Sequence, residues 1–205
     1  MALIMYLTRA PRYKNIITDE YETIPRKDIA LIESYYNWGR AREEGVYSCD
    51  TLEEWCGISE KELPHKYIVN YYGDFFERRA WYSEIAGEIE KYTIFEQLAR
   101  LVKMNQIFNW FIKNVMNNNV NQNYYEVTKD NFKKLLKTLN DVKDNFNENI
   151  AKDLLPVMDE RGYFFGTDKY DDIYIKQVIE VIDVVNNILE TTDFEKEIVY
   201  LNSIW

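Results

Sequence analysis

The chain has 205 residues, a length that suits one domain with a sizeable core. It carries 35 acidic against 25 basic residues, for a formal net charge of −10, and its longest basic clusters are the pairs Arg78-Arg79 and Lys133-Lys134. That balance argues against a partner of DNA or RNA, whose phosphates need a concentrated basic surface. Seventeen tyrosines supply apolar bodies with polar tips, which suit half-buried surfaces and binding sites. The two cysteines, Cys49 and Cys56, form neither a disulfide framework nor a paired metal motif. Reduced thiols and a cytoplasmic setting are therefore expected. The N-terminus M-A-L-I-M-Y-L-T-R has an apolar run too short for a secretory signal, with no basic stretch before it. The most apolar long window, Ile173–Leu189, contains Lys176, Glu180 and Asp183, so no membrane span is expected.

In chain order, Leu3–Leu7 reads as a short strand before the break at Arg9–Pro11, and Arg12–Pro25 as a polar connection. Lys27–Glu44 reads as a helix stopped by Gly45, with Tyr35, Tyr36 and Trp38 on its later turns. Asp50-Thr51 and Ser59 precede short helical segments as caps. Lys66–Gly87 mixes strand and helix signals and leans to helix from Asp74 onward. Ile94–Met116 reads as one long helix. At about 100° per residue, Leu101, Met104, Phe108, Phe111, Ile112 and Val115 share a face, with Lys103, Gln106, Trp110 and Lys113 opposite. Trp110 there is either covered by another segment or offered as an aromatic wall to a ligand. Asn117–Asn123 reads as a turn or loop. Thr128 caps a second helix to about Lys152, with a narrow stripe of Phe132, Leu135, Leu136, Leu139, Val142, Phe146 and Ile150. Asp171 or Asp168 caps a third, to about Glu190, whose apolar positions suggest a buried central helix. Val199–Trp205 closes the chain as a strand-like tail able to pair with Leu3–Leu7.

Between the last two helices lies Leu154–Tyr174. Here Tyr163, Phe164 and Phe165 sit between Gly162 and Gly166, two of only seven glycines in the chain. Pro156 cannot continue a helix, and the glycines admit conformations closed to other residues. If the triplet is extended, Tyr163 and Phe165 point one way and Phe164 the other. The expected architecture is a single domain over residues 1–205: mainly α, with three long helices and a small strand element near the chain termini.

The chemistry on offer is that of recognition. His65 is the single histidine, and no catalytic triad, phosphate loop or dinucleotide fingerprint accompanies it. Asp168, Asp171 and Asp172 are explained more simply as helix-capping groups than as metal ligands. No metal and no cofactor are expected, and an enzyme is disfavoured without being excluded. Tyr163, Phe164, Phe165, Tyr170, Tyr174 and Trp110 offer ring faces for stacking. Arg100, Lys103, Arg161 and Lys169 offer cations, and Asn105, Gln106 and Asn109 offer two-way hydrogen bonding. An aromatic core with solvated charges accounts for the same residues without a ligand. The candidate ligand-binding set is Lys103, Asn105, Gln106, Trp110, Tyr163, Phe164, Phe165, Gly166, Tyr170 and Tyr174.

The segments K-M-N-Q-I-F-N-W-F from Lys103, then L-L-P, then G-Y-F-F-G-T-D-K-Y-D-D-I-Y, with a C-terminal tryptophan and an N-terminal M-Y-L, resemble a family of small phage and prophage proteins. Those proteins carry Lys-x-Asn-x-Ile-His-x-Trp-Phe, Leu-Leu-Pro and Gly-Phe-Phe-Phe-Gly. The resemblance covers mainly residues 103–174 and both ends. This chain departs from it at Phe108, where the family has histidine, and at Tyr163, where it has phenylalanine. The missing histidine lowers the case for catalysis. A phage origin implies a counter-defence protein that sequesters a small nucleotide-derived immune signal without cleaving it. That points to a cytoplasmic setting in the host bacterium and no membrane partner, and it leaves a homo-oligomer open. The alternatives are an inhibitor or adaptor of a host or phage protein, and an enzyme acting on nucleotides.

Overall fold

The computed structural model describes residues 2–14, 20–25, 27–28, 31–32, 34–35, 38, 51, 53–54, 57, 59–63, 77–83, 87–93, 96–119, 124–158 and 165–204. They belong to two compact units. One joins Met1–Ala10 to Gln97–Trp205, and the other is Pro11–Glu96.

Among its described residues the second unit has two small antiparallel pairs. β2 (Tyr13–Lys14) pairs with β3 (Tyr21–Glu22), and β4 (Glu77–Ser83) with β5 (Gly87–Thr93). The helix expected from Asp74 onward is therefore corrected to strand over Glu77–Ser83. The reason is legible afterwards: Arg79, Ala80, Trp81 and Tyr82 find backbone partners in Lys91, Glu90, Ile89 and Glu88, a non-local pairing that local pattern does not reveal. Both expected caps are present. Thr51 Oγ1 accepts from Glu54 N at 3.2 Å while Thr51 N donates to Glu54 Oε2 at 3.4 Å. Ser59 accepts from Lys61 N at 3.4 Å at the start of a 3-10 turn, Glu60–Glu62. Residues between Lys27 and Trp38 are helical wherever they are described, and the Tyr35 and Trp38 rings lie 6.1 Å apart. Tyr36, Cys49, Cys56 and His65 lie outside the described residues.

The first unit is a four-stranded sheet packed against helices, and it overturns the mainly helical expectation. The strand order is β6 (Glu96–Val102), β1 (Ile4–Pro11), β8 (Glu197–Ile204), β7 (Tyr125–Glu126). The sheet is antiparallel, so the two ends of the chain lie side by side at its centre, as the apolar tails suggested. Leu3, Met5 and Leu7 alternate into the core, the period-two pattern of a half-buried strand. β8 is buried on both faces. Val199 and Leu201 join the main core, while Tyr200 meets Tyr124 edge to face at 6.4 Å.

Among the described residues, four α-helices belong to the unit: α1 (Asn105–Asn114), α2 (Lys129–Asp144), α3 (Glu148–Leu154) and α4 (Asp172–Thr191). The long helix expected over Ile94–Met116 is instead β6 followed by α1. Lys103 separates them with φ +57°, a value outside the right-handed helix, and its N–H donates to Leu3 O at 2.9 Å. Leu101 and Met104 are buried as expected, though not on one helical stripe. The helix expected from Thr128 to Lys152 is likewise divided. Thr128 forms a reciprocal capping box with Asn131, and the helix then ends at Asn145. Asn147 restarts it by accepting from Ile150 N at 3.0 Å. Two of the four asparagines from Asn140 to Asn149, Asn145 and Asn147, thus mark a break that the apolar stripe conceals, because Asn favours caps over helix interiors.

Asp171 is the cap of α4, accepting from Ile173 N at 3.0 Å and Tyr174 N at 3.2 Å. At the far end, Arg9 donates to Thr191 O at 2.7 Å and meets Glu197 at 3.4 Å, satisfying a terminal carbonyl and fastening β1 and β8 to the helix end. α4 is not buried all round. Tyr174, Val178, Val181, Ile182, Val185 and Ile188 face the core, while Ile173 and Ile179 are exposed. Phe132, Leu135, Leu139 and Val142 of α2 join the same core, and Phe146 and Leu154 are partly exposed. After α1, Asn117 and Asn118 take φ +51° and +60°, the left-handed turn that the asparagine run implied. No helix among the described residues is long and apolar enough to cross a membrane.

Candidate functional site

The Leu154–Tyr174 stretch is tied down at both ends by the amides of α1. Asn105 accepts from Met158 N at 3.3 Å and donates to Thr167 O at 2.8 Å, so one side chain bridges the two ends of the segment. Asn109 donates to Pro156 O at 2.9 Å. Gln106 donates to Gln177 Oε1 at 2.8 Å, and Gln177 donates to Lys103 O at 3.3 Å, which links α4 to the β6–α1 junction. Gln106 Oε1 is buried with no hydrogen-bond partner. Gly166 closes the segment against that junction. It forms an isolated bridge with Met104 at φ +118°, with its Cα against the Lys103 carbonyl.

The candidate residues therefore divide by position. Lys103, Asn105, Gln106, Phe165 and Gly166 are gathered at the junction, where the amides bond to protein groups. Trp110 is 5% exposed and packs edge to face on Phe111 at 5.5 Å, so the covering segment is present and the ring belongs to the core. Tyr174 is fully buried, donates to Leu155 O at 2.8 Å, and lies between Tyr170 at 5.2 Å and Phe146 at 6.0 Å. Tyr163 and Phe164 lie outside the described residues, as does Arg161. Phe108 is fully buried.

Two tests follow. Asn105→Ala should cost about 2 kcal/mol in denaturant unfolding, because Met158 N and Thr167 O lose a shared partner. Burial raises the Tyr174 hydroxyl above the ordinary tyrosine range, with the charge of Tyr170 adding to it. The folded chain thus holds that proton more tightly than the unfolded chain. The stability it contributes is complete below the unfolded tyrosine pKa of about 10 and is lost as pH climbs beyond it. Alkaline titration of Tyr174→Phe should show a shallower loss than the parent.

The open site lies on the other side of Tyr170. A cleft of about 610 Å³ is lined by Glu148 and Lys152 of α3, Pro156 and Val157 after it, and Asp168, Lys169, Tyr170 and Asp171 before α4. Each wall has a local cause. Asn147 starts α3, and placing Glu148 and Lys152 four apart puts them on one face, 2.6 Å from each other. The hydrogen bond and charge of Glu148 raise the Lys152 ammonium above its ordinary value. Thr167 Oγ1 accepts from Lys169 N at 3.0 Å and fixes the turn that presents Asp168 and Lys169. Tyr170 is oriented by Val157 N, which donates to its hydroxyl at 3.2 Å, and Lys152 Nζ lies 5.7 Å from its ring centre. Of the described residues in the candidate set, Tyr170 lines this cleft.

Glu148 and Lys152 were missed in the sequence. Their signal was present, as E-N-I-A-K after an asparagine cap and before L-L-P, but it was absorbed into one long helix. Lys169, Asp168 and Asp171 were noticed as a cation and as capping groups. Among the described residues no group of three His, Cys, Asp or Glu side chains is placed to hold a metal ion. Comparison of the chain with protein-family models, with curated proteins and with solved structures finds no match.

Proposed function

We propose that this chain is a phage-type counter-defence protein. It holds a small nucleotide-derived immune signal intact in the cleft between α3 and the start of α4, in the cytoplasm of the host bacterium. One observation carries the reading: a cleft of about 610 Å³ that presents an oriented aromatic ring together with two lysines. Small-molecule sites commonly measure about 300–1,000 Å³; the described walls here are mainly charged and polar. Tyr170 supplies an aromatic ring and Lys169 an exposed positive charge, Lys152 is paired with Glu148, Asp168 and Asp171 add acceptors, and Pro156 and Val157 supply the apolar floor. The buried amides of α1 serve by holding the stretch that carries these groups in place.

The test is mass spectrometry of small molecules released by denaturing protein purified from phage-infected cells, parent and Tyr170→Ala side by side. The parent should release an intact nucleotide-like compound and the variant little of it. Loss of the ring should weaken binding by about 1–3 kcal/mol. Release of a cleaved product would make the chain an enzyme. An empty cleft, with a host protein co-purifying instead, would make it an adaptor.

A further inference from the structure

The four-stranded sheet ends in two unlike edges. β7 is two residues long and pairs with the eight-residue β8 only at Tyr200 and Leu201. At the other end of the strand order stands β6, seven residues without proline or glycine. A long regular edge offers a row of backbone donors and acceptors to another strand, and proteins commonly shorten, kink or cover such edges. The direction of the row follows from Lys103, whose N–H donates to Leu3 O on the β1 side. Backbone groups alternate along a strand, so Leu101, Ala99 and Gln97 also turn theirs to β1, and Val102, Arg100, Leu98 and Glu96 turn theirs outward. Among the described strands none lies beyond β6.

We infer that β6 pairs antiparallel with β6 of a second copy of this chain, about a two-fold axis at Leu98. Charge selects this occupant and this register. With Leu98 opposite the partner's Leu98, Glu96 stands opposite the partner's Arg100, and Arg100 opposite the partner's Glu96. The three side chains share one face of the strand, so a leucine pair is flanked on both sides by opposite charges. The same three residues turn their backbone groups outward, so each facing pair can exchange both of its hydrogen bonds. Moving the axis to Gln97 sets Glu96 against leucine, and moving it to Ala99 sets Arg100 against leucine. Parallel pairing in register sets like charge against like, which is destabilising.

A two-fold pairing uses the same edge on both copies and closes, so it ends at two chains and builds no fibre. It is also small. β6 offers seven residues a side, against about 20–30 in a standard interface, so the dimer is a weak one that forms at high concentration. Arg100 is exposed, so reversing its charge leaves the fold of the single chain intact.

Sedimentation equilibrium on the full chain should show monomer and dimer exchanging with a Kd of about 10–100 µM. Arg100→Glu faces two glutamates across the axis and should weaken the dimer about tenfold or more. Glu96→Arg should do the same by setting arginine against arginine. Mixing the two variants should restore association, because each then meets the opposite charge on the other. Hydrogen exchange at Leu98 N–H and Arg100 N–H should slow as the parent is concentrated, a readout that needs no variant. A chain that stays monomeric at millimolar concentration would overturn the inference, as would a dimer indifferent to Arg100→Glu. Slow exchange of Leu98 N–H in the dilute monomer would show the edge covered by the chain itself, and a different protein bound along β6 would show another occupant; either result overturns it too.

Discussion

Gly166→Ala is expected to lower the stability of the chain by about 4 kcal/mol, from two separate costs. The φ of +118° at Gly166 lies where L side chains rarely sit, which costs about 1–3 kcal/mol. A Cβ there would overlap the Lys103 carbonyl oxygen and come within 2.8 Å of the carbonyl carbon. Those atoms are backbone at the β6–α1 junction, already fixed by the Lys103 N–H to Leu3 O bond and by Gln177 donating to that same carbonyl. No flexible side chain can give way, so repacking adds about 1–3 kcal/mol more. For a chain of this size the melting temperature should fall by about 10 °C. Gly57→Ala is the matched control. Its φ of +71° is also left-handed, but nothing lies within 4 Å of the added carbon, so only the backbone cost of about 1 kcal/mol applies. Equal melting temperatures for the two variants would show that Gly166 does not pack against Lys103.

That junction also explains which parts of the fold were legible. Elements set by local signals were read from the residues that set them. Thr128 and Asp171 each offer a short oxygen to the amides of the following turn, and both are caps. The alternation of Leu3, Met5 and Leu7 marks β1 without further context. Gln97–Val102 is different. Leu98, Leu101 and Met104 sit three apart, which fits a helical stripe, whereas a strand turns residues three apart to opposite faces, so local spacing points away from the strand that forms. The choice is made by Leu3 and Gly166, distant residues that hold the chain at Lys103 in a conformation no helix accepts. Register with a remote strand is absent from a local window, and the same blindness applies to β4 and β5.

The candidate site followed the same division. Asn105, Gln106 and Trp110 were singled out because polar and aromatic groups share a segment, which tells nothing of whether they point at ligand or at protein. Asn105 and Gln106 proved to bond to Thr167, Met158 and Gln177, and Trp110 to fill the core. The cleft instead joins residues on either side of the Leu154–Tyr174 stretch, Glu148 and Lys152 before Pro156 and Asp168 to Asp171 after Gly166. Their meeting depends on the chain turning back between α3 and α4, which spacing alone does not give.

Val178→Asp should be the most damaging single change on α4, costing about 5 kcal/mol, while Ile179→Asp, one residue on, should cost about 0.5 kcal/mol or less. Val178 is fully buried among Val181, Ile182 and Val185, in the core that Leu135 and Leu139 of α2 complete. A carboxylate placed there would be desolvated without a partner, so it would stay protonated or open the α2–α4 interface to water. Ile179 is 45% exposed on the side of the helix that meets solvent, and an aspartate there keeps its hydration. Helix propensity differs little between the two sites, so the contrast isolates burial. Domains commonly hold about 5–15 kcal/mol in reserve, so Val178→Asp should leave a chain unfolded at modest denaturant and Ile179→Asp one with a parental midpoint. Raising the pH from 5 to 8 should widen the gap, because the buried aspartate is held neutral more easily at low pH and the exposed one is indifferent. Similar midpoints for the two variants would mean that α4 turns a different face to α2.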